Sequence, residues 1–268
     1  MKIKQFVRDW CPPILMNWIR TLREKNGLSF SGDYAAWSDA KMKSSGYDAE
    51  QVLHRVSEAA LKVKRGEALF ERDSVCFEKA EFRWPVLACL LSVAAARSGN
   101  LNVLDFGGSL GSFYFQHKNF FSNLAQVRWA VVEQAQFVKF GQEHLQDDVL
   151  RFYESIESCS IQQPIDVVLL SSVIQYIETP REILASLAAI DAPYILIDRT
   201  AFIAGESDRL TVQRVPKTIY DASYPAWFFS EKIFLKTMLD SNYRLRMEFP
   251  CPEVIGLGEY KGMFFERV

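Results

Sequence analysis

Val103-Leu104-Asp105-Phe106-Gly107-Gly108-Ser109-Leu110-Gly111 is the stretch that decides the fold. The apolar run Leu101 to Phe106 predicts a buried strand. Gly107 to Gly111 predicts a turn, and Ser112 to Phe121 a helix. A strand that passes through a glycine turn into a helix is where open α/β sheets bind ligands. Gly107 and Gly111 remove Cβ atoms where a ligand would have to meet the backbone. Asp105 places a carboxylate at the end of that strand.

Downstream, the same alternation continues to the end of the chain. Val127 to Glu133 predicts a second strand, followed by a helix from Gln134 to Leu145. Leu150 to Tyr153 is a short third strand. Ile165 to Leu170 is the fourth, an unbroken apolar run suited to a strand covered on both faces. Thr179, Pro180 and Glu182 predict a helix start with a capping box. Tyr194 to Ile197 reads as the fifth strand. Ser230 caps a helix that runs to Asp240, and the stretches 243–249 and 262–267 read as a closing antiparallel pair. Residues 99–268 are therefore expected to form a Rossmann-like α/β domain, mostly parallel with an antiparallel last strand.

Upstream, residues 1–98 read as a helical extension without strand-like runs. Its helices are expected at 3–25, broken near Pro12-Pro13, at 48–66 with Asp48 as N-cap and Gly66 as the stop, and at 81–98. The first carries Lys2, Lys4, Arg8, Arg20, Arg23 and Lys25 among Trp10, Trp18 and other apolar residues. Such a segment either packs on the domain or lies on an anionic membrane surface.

Composition narrows the function. A net charge of −2 offers no basic surface for nucleic acid. No apolar run is long enough to span a bilayer, and the N-terminus lacks a signal-peptide core, so a cytoplasmic protein is expected. The five cysteines are scattered without a C-x-x-C pair, which argues against a disulfide framework or a structural zinc site. No metal is expected.

Several positions carry candidate chemistry. From Asp105 the loop follows an acidic-x-G-x-G-x-G pattern, with Ser109 in place of the middle glycine and Gly108 added. A dinucleotide fingerprint G-x-G-x-x-G would need glycines at 107, 109 and 112, and only Gly107 is present, which disfavours an oxidoreductase. Glu133 ends the second strand, where a carboxylate can accept both hydroxyls of a ribose. Glu154-Ser155-Ile156 follows the third strand; a backbone N–H there and the Ile156 side chain could hold a flat ring. Ser171, Gln175 and Tyr176 follow the fourth strand at the ligand-facing edge. Asp198 and Arg199 end the fifth. Arg199 suits an anionic or hydroxyl-rich acceptor, while Asp198 is either a general base or the partner of Arg199. His54, His117 and His144 sit on helices and read as structural.

Asp105-Phe-Gly-Gly-Ser-Leu-Gly111, Val132-Glu133-Gln134, Ser171-Ser172-Val173 and Ile197-Asp198-Arg199-Thr200 resemble a family of class I S-adenosylmethionine-dependent methyltransferases. That family is encoded in bacterial surface-polysaccharide clusters, those for O-antigen and capsule among them. Phe70-Glu71-Arg72-Asp73-Ser74 and Tyr224-Pro225-Ala226-Trp227 share the likeness, which spans residues 31–268. It implies S-adenosylmethionine as cofactor. The loop with Asp105, Gly107, Gly108, Ser109 and Gly111 would then cradle the methionine part, with Asp105 neutralising its ammonium directly or through water. Glu133 and Gln134 would serve the ribose, Ser155 and Ile156 the adenine, and Ser171 the region of the methyl group. The implied reaction is O-methylation of a sugar or sugar substituent. Asp198, Tyr176 and Asp73 are candidate bases; Gln175, Arg199, Tyr34 and Arg72 are candidate acceptor contacts, the last two in a lid-like N-terminal region. A protein of another class, binding the adenosyl ligand without turnover as a scaffold in a polysaccharide assembly complex, is the alternative.

Overall fold

The computed structural model describes residues 29–45, 49–72, 75–79, 81–215, 222–254 and 256–268. The expected basic helix 3–25 and the Asp48 cap lie outside them. In chain order the elements are β1 (Ser29–Tyr34), α1 (Trp37–Met42), α2 (Ala49–Lys64), β2 (Phe70–Arg72), β3 (Val75–Phe77), α3 (Trp84–Ala96), β4 (Asn100–Phe106) and α4 (Ser112–His117). Then come β5 (Gln126–Val132), α5 (Ala135–His144), β6 (Leu150–Tyr153), α6 (Ile156–Gln162), β7 (Val167–Ser171) and α7 (Pro180–Ala188). The chain closes with β8 (Tyr194–Ile203), β9 (Arg209–Arg214), β10 (Ser223–Ser230), α8 (Glu231–Asp240), β11 (Tyr243–Val254) and β12 (Glu259–Arg267).

The central sheet runs β6-β5-β4-β7-β8-β12-β11, parallel from β6 to β8 with β12 antiparallel to β8 and to β11. This is the mostly parallel, Rossmann-like sheet with an antiparallel last strand that the sequence predicts, with β4 in the middle of its five parallel strands. Because side chains alternate across a strand, the sheet feeds two cores. Leu101, Val103, Trp129, Val131, Val167 and Leu169 pack with α2, α3, α4 and α5 on one face. Leu104, Ala130, Val132, Val168, Leu170, Ile195 and Ile197 pack with α6, α7 and α8 on the other. Burying each such large side chain contributes roughly 1.5–3 kcal/mol.

The region expected to be wholly helical before residue 98 contains three strands. β2 and β3 form a hairpin, and β1 pairs antiparallel with β9. Ser29-Phe-Ser-Gly-Asp-Tyr34 has little local strand signal; it becomes a strand through its partner, a tertiary contact that overrides propensity. β9 and β10 were not expected either. They pair antiparallel with one another, and β10 joins the last two residues of β8.

The length of β8 explains where this addition stands. The fifth strand continues to Ile203, past the expected end at Ile197. One edge of β8 carries β12. The other carries β7 along its first half and β10 at its end. The β10-β9-β1 ribbon therefore stands beyond the carboxyl end of β7, at the edge where ligands of such sheets bind.

Two local starts differ in detail. Ser230 caps α8 as expected, its hydroxyl accepting from the Ile233 N–H at 3.5 Å. Thr179 begins α7 without a side-chain cap; its carbonyl accepts from Glu182 and Ile183 at 3.1 and 3.3 Å, with Pro180 in the first turn.

Candidate active site

The glycine loop takes its shape from backbone that few residue types tolerate. Gly107, Ser109 and Gly111 have φ of +68°, +54° and +82°. A side chain at Gly107 would collide with a Val173 methyl. Ser109 occupies the left-handed conformation that the middle glycine of the pattern would hold, at a cost of about 1–2 kcal/mol for a residue with a Cβ. Its backbone N–H faces the Glu133 carboxylate and lowers that group's pKa. The substitution thus keeps the loop geometry. Gly111 opens α4, accepting from the Phe115 N–H at 3.0 Å.

Gly108 has a different reason. A Cβ there would stand 2.5 Å from the Asp105 carboxyl carbon. That carboxyl group is buried behind the loop, 1% exposed, and accepts from the Trp129 indole N–H at 2.9 Å. Trp129 is itself stacked with Phe113 and Phe121. Burial pushes the Asp105 carboxyl up to about 7; the Trp129 bond works against the rise and the Glu133 charge adds to it. Closed off by Gly108 and Trp129, the Asp105 carboxyl shapes the loop from behind.

Glu133 stands where the sequence places it. Its backbone N–H donates to Tyr153 O at 3.1 Å, and its Oε2 accepts from the Gln134 N–H at 2.7 Å. Lone pairs on that carboxylate remain for two ligand hydroxyls. Desolvation raises its pKa. Gln134 precedes α5 and is exposed. Ser155 caps α6, its hydroxyl accepting from the Ser158 N–H at 3.0 Å. Ile156, half-buried, packs beside the second core.

At the ends of β7 and β8 a second group assembles from distant segments. Asp198 is fully buried and forms a two-pronged ion pair with Arg83, whose Nε lies 3.2 Å from Oδ2 and whose Nη2 donates to Oδ1. The Ser171 hydroxyl donates to Oδ2 at 3.1 Å, and Arg199 Nε stands 3.7 Å from it. The Arg83 backbone N–H in turn donates to His117 Nε2 at 3.1 Å, while His117 Nδ1 bonds Phe113 O at 2.9 Å. Those two partners assign the proton to Nδ1, and desolvation lowers the pKa of His117 to about 4. Both ring nitrogens of His117 are thus committed to backbone groups, in keeping with a structural role. Asp198, for which the sequence left a general base or a partner of Arg199, is clamped by Arg83, with Arg199 the more distant of its two cations.

The remaining predicted residues separate. Gln175 is buried beside Arg199, whose carbonyl accepts from Gln175 Nε2 at 3.0 Å. The Tyr176 hydroxyl donates to Gln213 Oε1 at 3.0 Å, and Gln213 Nε2 donates to the Tyr224 hydroxyl at 3.2 Å, so the turn after β7 is stitched to the β9–β10 ribbon. Tyr34, on β1, packs with Trp37 and Trp227 under that ribbon. Arg72 ends β2 opposite Val75, and Asp73 lies outside the described residues. Glu71 is buried and accepts from the Ser112 hydroxyl, tying the β2–β3 hairpin to the first turn of α4. Arg83, Trp129 and Gln213 were missed. Their partners lie 115, 24 and 37 residues away, and no local motif marks them.

No family model and no curated protein matches the chain. Solved structures share its outline. One is the Burkholderia thailandensis 1,6-didemethyltoxoflavin-N1-methyltransferase with bound 1,6-didemethyltoxoflavin and S-adenosylhomocysteine: 14% identity over 89% of this chain and 93% of that one, TM-score 0.45. Another is an S-adenosylmethionine-dependent methyltransferase from Clostridium acetobutylicum, at 9% identity over 80% and 98%, TM-score 0.49. A third is the magnesium protoporphyrin IX methyltransferase from Synechocystis with bound SAM, at 14% over 83% and 86%, TM-score 0.46. Likeness at this level concerns the outline of the fold, and neither acceptor nor reaction passes from those proteins to this chain.

Proposed function

We propose that the chain is an S-adenosylmethionine-dependent methyltransferase that methylates a hydroxyl of a sugar or sugar substituent in surface-polysaccharide biosynthesis. The observation that carries the cofactor assignment is the junction of the glycine loop and Glu133. A side chain at Gly107 or Gly108 would collide with Val173 or Asp105, and the Glu133 carboxylate, oriented by the Gln134 N–H group, retains acceptor capacity. Gly107 to Gly111 would hold the methionyl part, Glu133 the ribose hydroxyls, and Ile156 one face of the adenine. When bound, the cofactor supplies an electrophilic methyl group. The chain itself positions the acceptor and excludes water. Asp198, locked by Arg83, fixes Ser171 at the end of β7. Tyr176 keeps a hydroxyl in the chain through Gln213 to Tyr224 and is the candidate for contact with the acceptor hydroxyl.

The sugar rests on the sequence resemblance together with the aromatic groups Tyr34, Trp37 and Trp227 gathered at the ribbon. A cytoplasmic place and peripheral membrane contact through residues 3–25 belong to the same proposal. Among the described residues, no helix is long and apolar enough to cross a membrane. A second reading, an adenosyl-ligand-binding scaffold without turnover, is favoured by one observation: the buried carboxylate at the expected base position is already paired.

Titration calorimetry with S-adenosylmethionine and S-adenosylhomocysteine, with NAD as control, tests the cofactor. Selective micromolar binding is expected, and Glu133→Ala should weaken it at least tenfold, the loss of about 1.4 kcal/mol or more in charge-assisted hydrogen bonds. Unchanged affinity in Glu133→Ala removes the ribose assignment. Binding without methylated product across glycan extracts favours the scaffold.

A further inference from the structure

Buried polar atoms without hydrogen-bond partners are rare. Among the described residues they include Gln175 Oε1, Arg199 Nε and Thr200 Oγ1, on two consecutive residues of β8 and on the glutamine that bonds the first of them. Gln175 Nε2 is committed to Arg199 O, which identifies the amide oxygen as the group left over. The backbone is unusual at the same place. Ile197 faces Met263 on β12 while Thr200 faces Lys261, so β8 carries one residue more than its partner across Asp198-Arg199. Such a bulge re-aims side chains. Arg199 has φ +47°, a conformation that a long side chain adopts only when its surroundings hold it there.

Arg199 is also the second cation on one carboxylate. Asp198 is already held by Arg83 and Ser171, and Arg199 Nε at 3.7 Å lies beyond hydrogen-bond reach of it. Its Nη2 makes a long bond of 3.4 Å to Ser171 Oγ. One-fifth of the side chain is exposed. A guanidinium is a planar fork whose geometry matches carboxylate and phosphate oxygens. Gln175 Oε1 requires a donor, and the Thr200 hydroxyl serves as either. The pairing of Asp198 with Arg83 removes the negative charge that would otherwise repel an incoming anion.

We infer that Gln175, Arg199 and Thr200 form a subsite for an anionic oxygen group, a carboxylate or a phosphate, carried next to a hydroxyl. The inference rests on the methyltransferase reading and names its acceptor class: an acidic hydroxylated molecule, such as a uronic acid or a phosphorylated sugar. The orphaned atoms are then the partners of the acceptor, and the bulge is the device that presents them.

The experiment is an NMR titration of the full-length protein, free and with S-adenosylhomocysteine, following arginine Nε–H resonances as glucuronate, inorganic phosphate or glucose is added. Arg199→Lys assigns the resonance. A saturable shift of the Arg199 signal with glucuronate or with phosphate, and none with glucose, is expected; whichever anion moves it names the group. Arg199→Lys should weaken that binding about tenfold, as loss of a charged fork does. Should that variant not fold, Gln175→Asn, which shortens the amide without touching the cation, must weaken it as well. An unmoved Arg199 resonance in protein that binds S-adenosylhomocysteine overturns the inference. So does an Arg199→Lys protein that loses S-adenosylhomocysteine but keeps 5′-methylthioadenosine, since Arg199 would then hold the carboxylate of the cofactor itself. A shift by glucuronate in protein that fails to bind S-adenosylhomocysteine retains the subsite and sinks the cofactor reading.

Discussion

Two halves of the same sheet edge are built in opposite ways. On the β4-β5-β6 side, Asp105, the glycine loop and Glu133 lie within 29 consecutive residues. Their geometry follows from backbone conformation and from one buried carboxyl group packed against a glycine. On the β7-β8 side, Ser171 and Asp198 meet Arg83, His117 and Cys251, brought from distant parts of the chain. The first half needs small residues so that something else can approach. The second needs long polar side chains that hold one another. On the function proposed, the difference separates a place for a shared cofactor from a place for a particular acceptor.

The largest expected effect breaks the second half. Arg83→Met would leave Asp198 buried with Ser171 and the more distant Arg199. Removing one partner of a buried ion pair costs roughly 3–5 kcal/mol. Adding Asp198→Asn should recover part of that loss, because the uncompensated charge is gone. Urea denaturation of the two single variants and the double variant measures it. A loss under about 1 kcal/mol for Arg83→Met would mean that Arg199 takes over the pairing, and the two arginines would then be interchangeable.

A smaller effect breaks the first half. In Gly108→Ala the new methyl group would meet the Asp105 carboxyl, which Trp129 holds in place. Overpacking of this kind costs about 1–3 kcal/mol. The loop must shift to relieve it, so S-adenosylhomocysteine affinity should fall together with stability. Asp105→Gly in the same background removes the obstacle and should restore part of the affinity, measured by calorimetry. Wild-type binding in Gly108→Ala alone would show that the loop has slack and that Asp105 does not set its shape.

The contrast also explains what could be read from the chain. The succession of strands from Leu101 onward, the glycine turn, Glu133 and the closing antiparallel pair were legible because each rests on local pattern: apolar runs, φ-permissive residues, a carboxylate at a strand end. The β10-β9-β1 ribbon was not. Ser29 to Tyr34 is a strand only because β9 is beside it, and β9 stands where it does because β8 outruns β7. For Asp198 the sequence offers a base or a partner of Arg199; the tighter partner in the structure is Arg83, an ordinary residue at the start of α3 that no local motif marks. Ser109 stands in the place of the motif's middle glycine and has the conformation of that glycine, which only its φ reveals.

The smallest net effect sharpens the comparison by pH. Asp105, in the first half, is pushed up to about 7 from 3.8. Between those values the folded protein holds a proton that the unfolded chain has lost, so its contribution to stability is full below pH 3.8 and falls as pH rises to 7. His117, in the second half, is lowered to about 4 from 6.5. Between those values the unfolded chain binds the extra proton, so its contribution rises with pH. From about pH 4 to 6.5 the two slopes oppose, each at most about 1.4 kcal/mol per pH unit, and they largely cancel in the intact protein. Replacement of either group unmasks the other. Relative to wild type, Asp105→Asn should gain a stability that rises with pH across this window, and His117→Asn one that falls, both read from urea midpoints at pH 4.5, 5.5 and 6.5. Parallel profiles for wild type and Asp105→Asn would show that this carboxyl titrates like an exposed one. It could not then be sealed behind Gly108, and the glycine loop would have to be open to water from beneath.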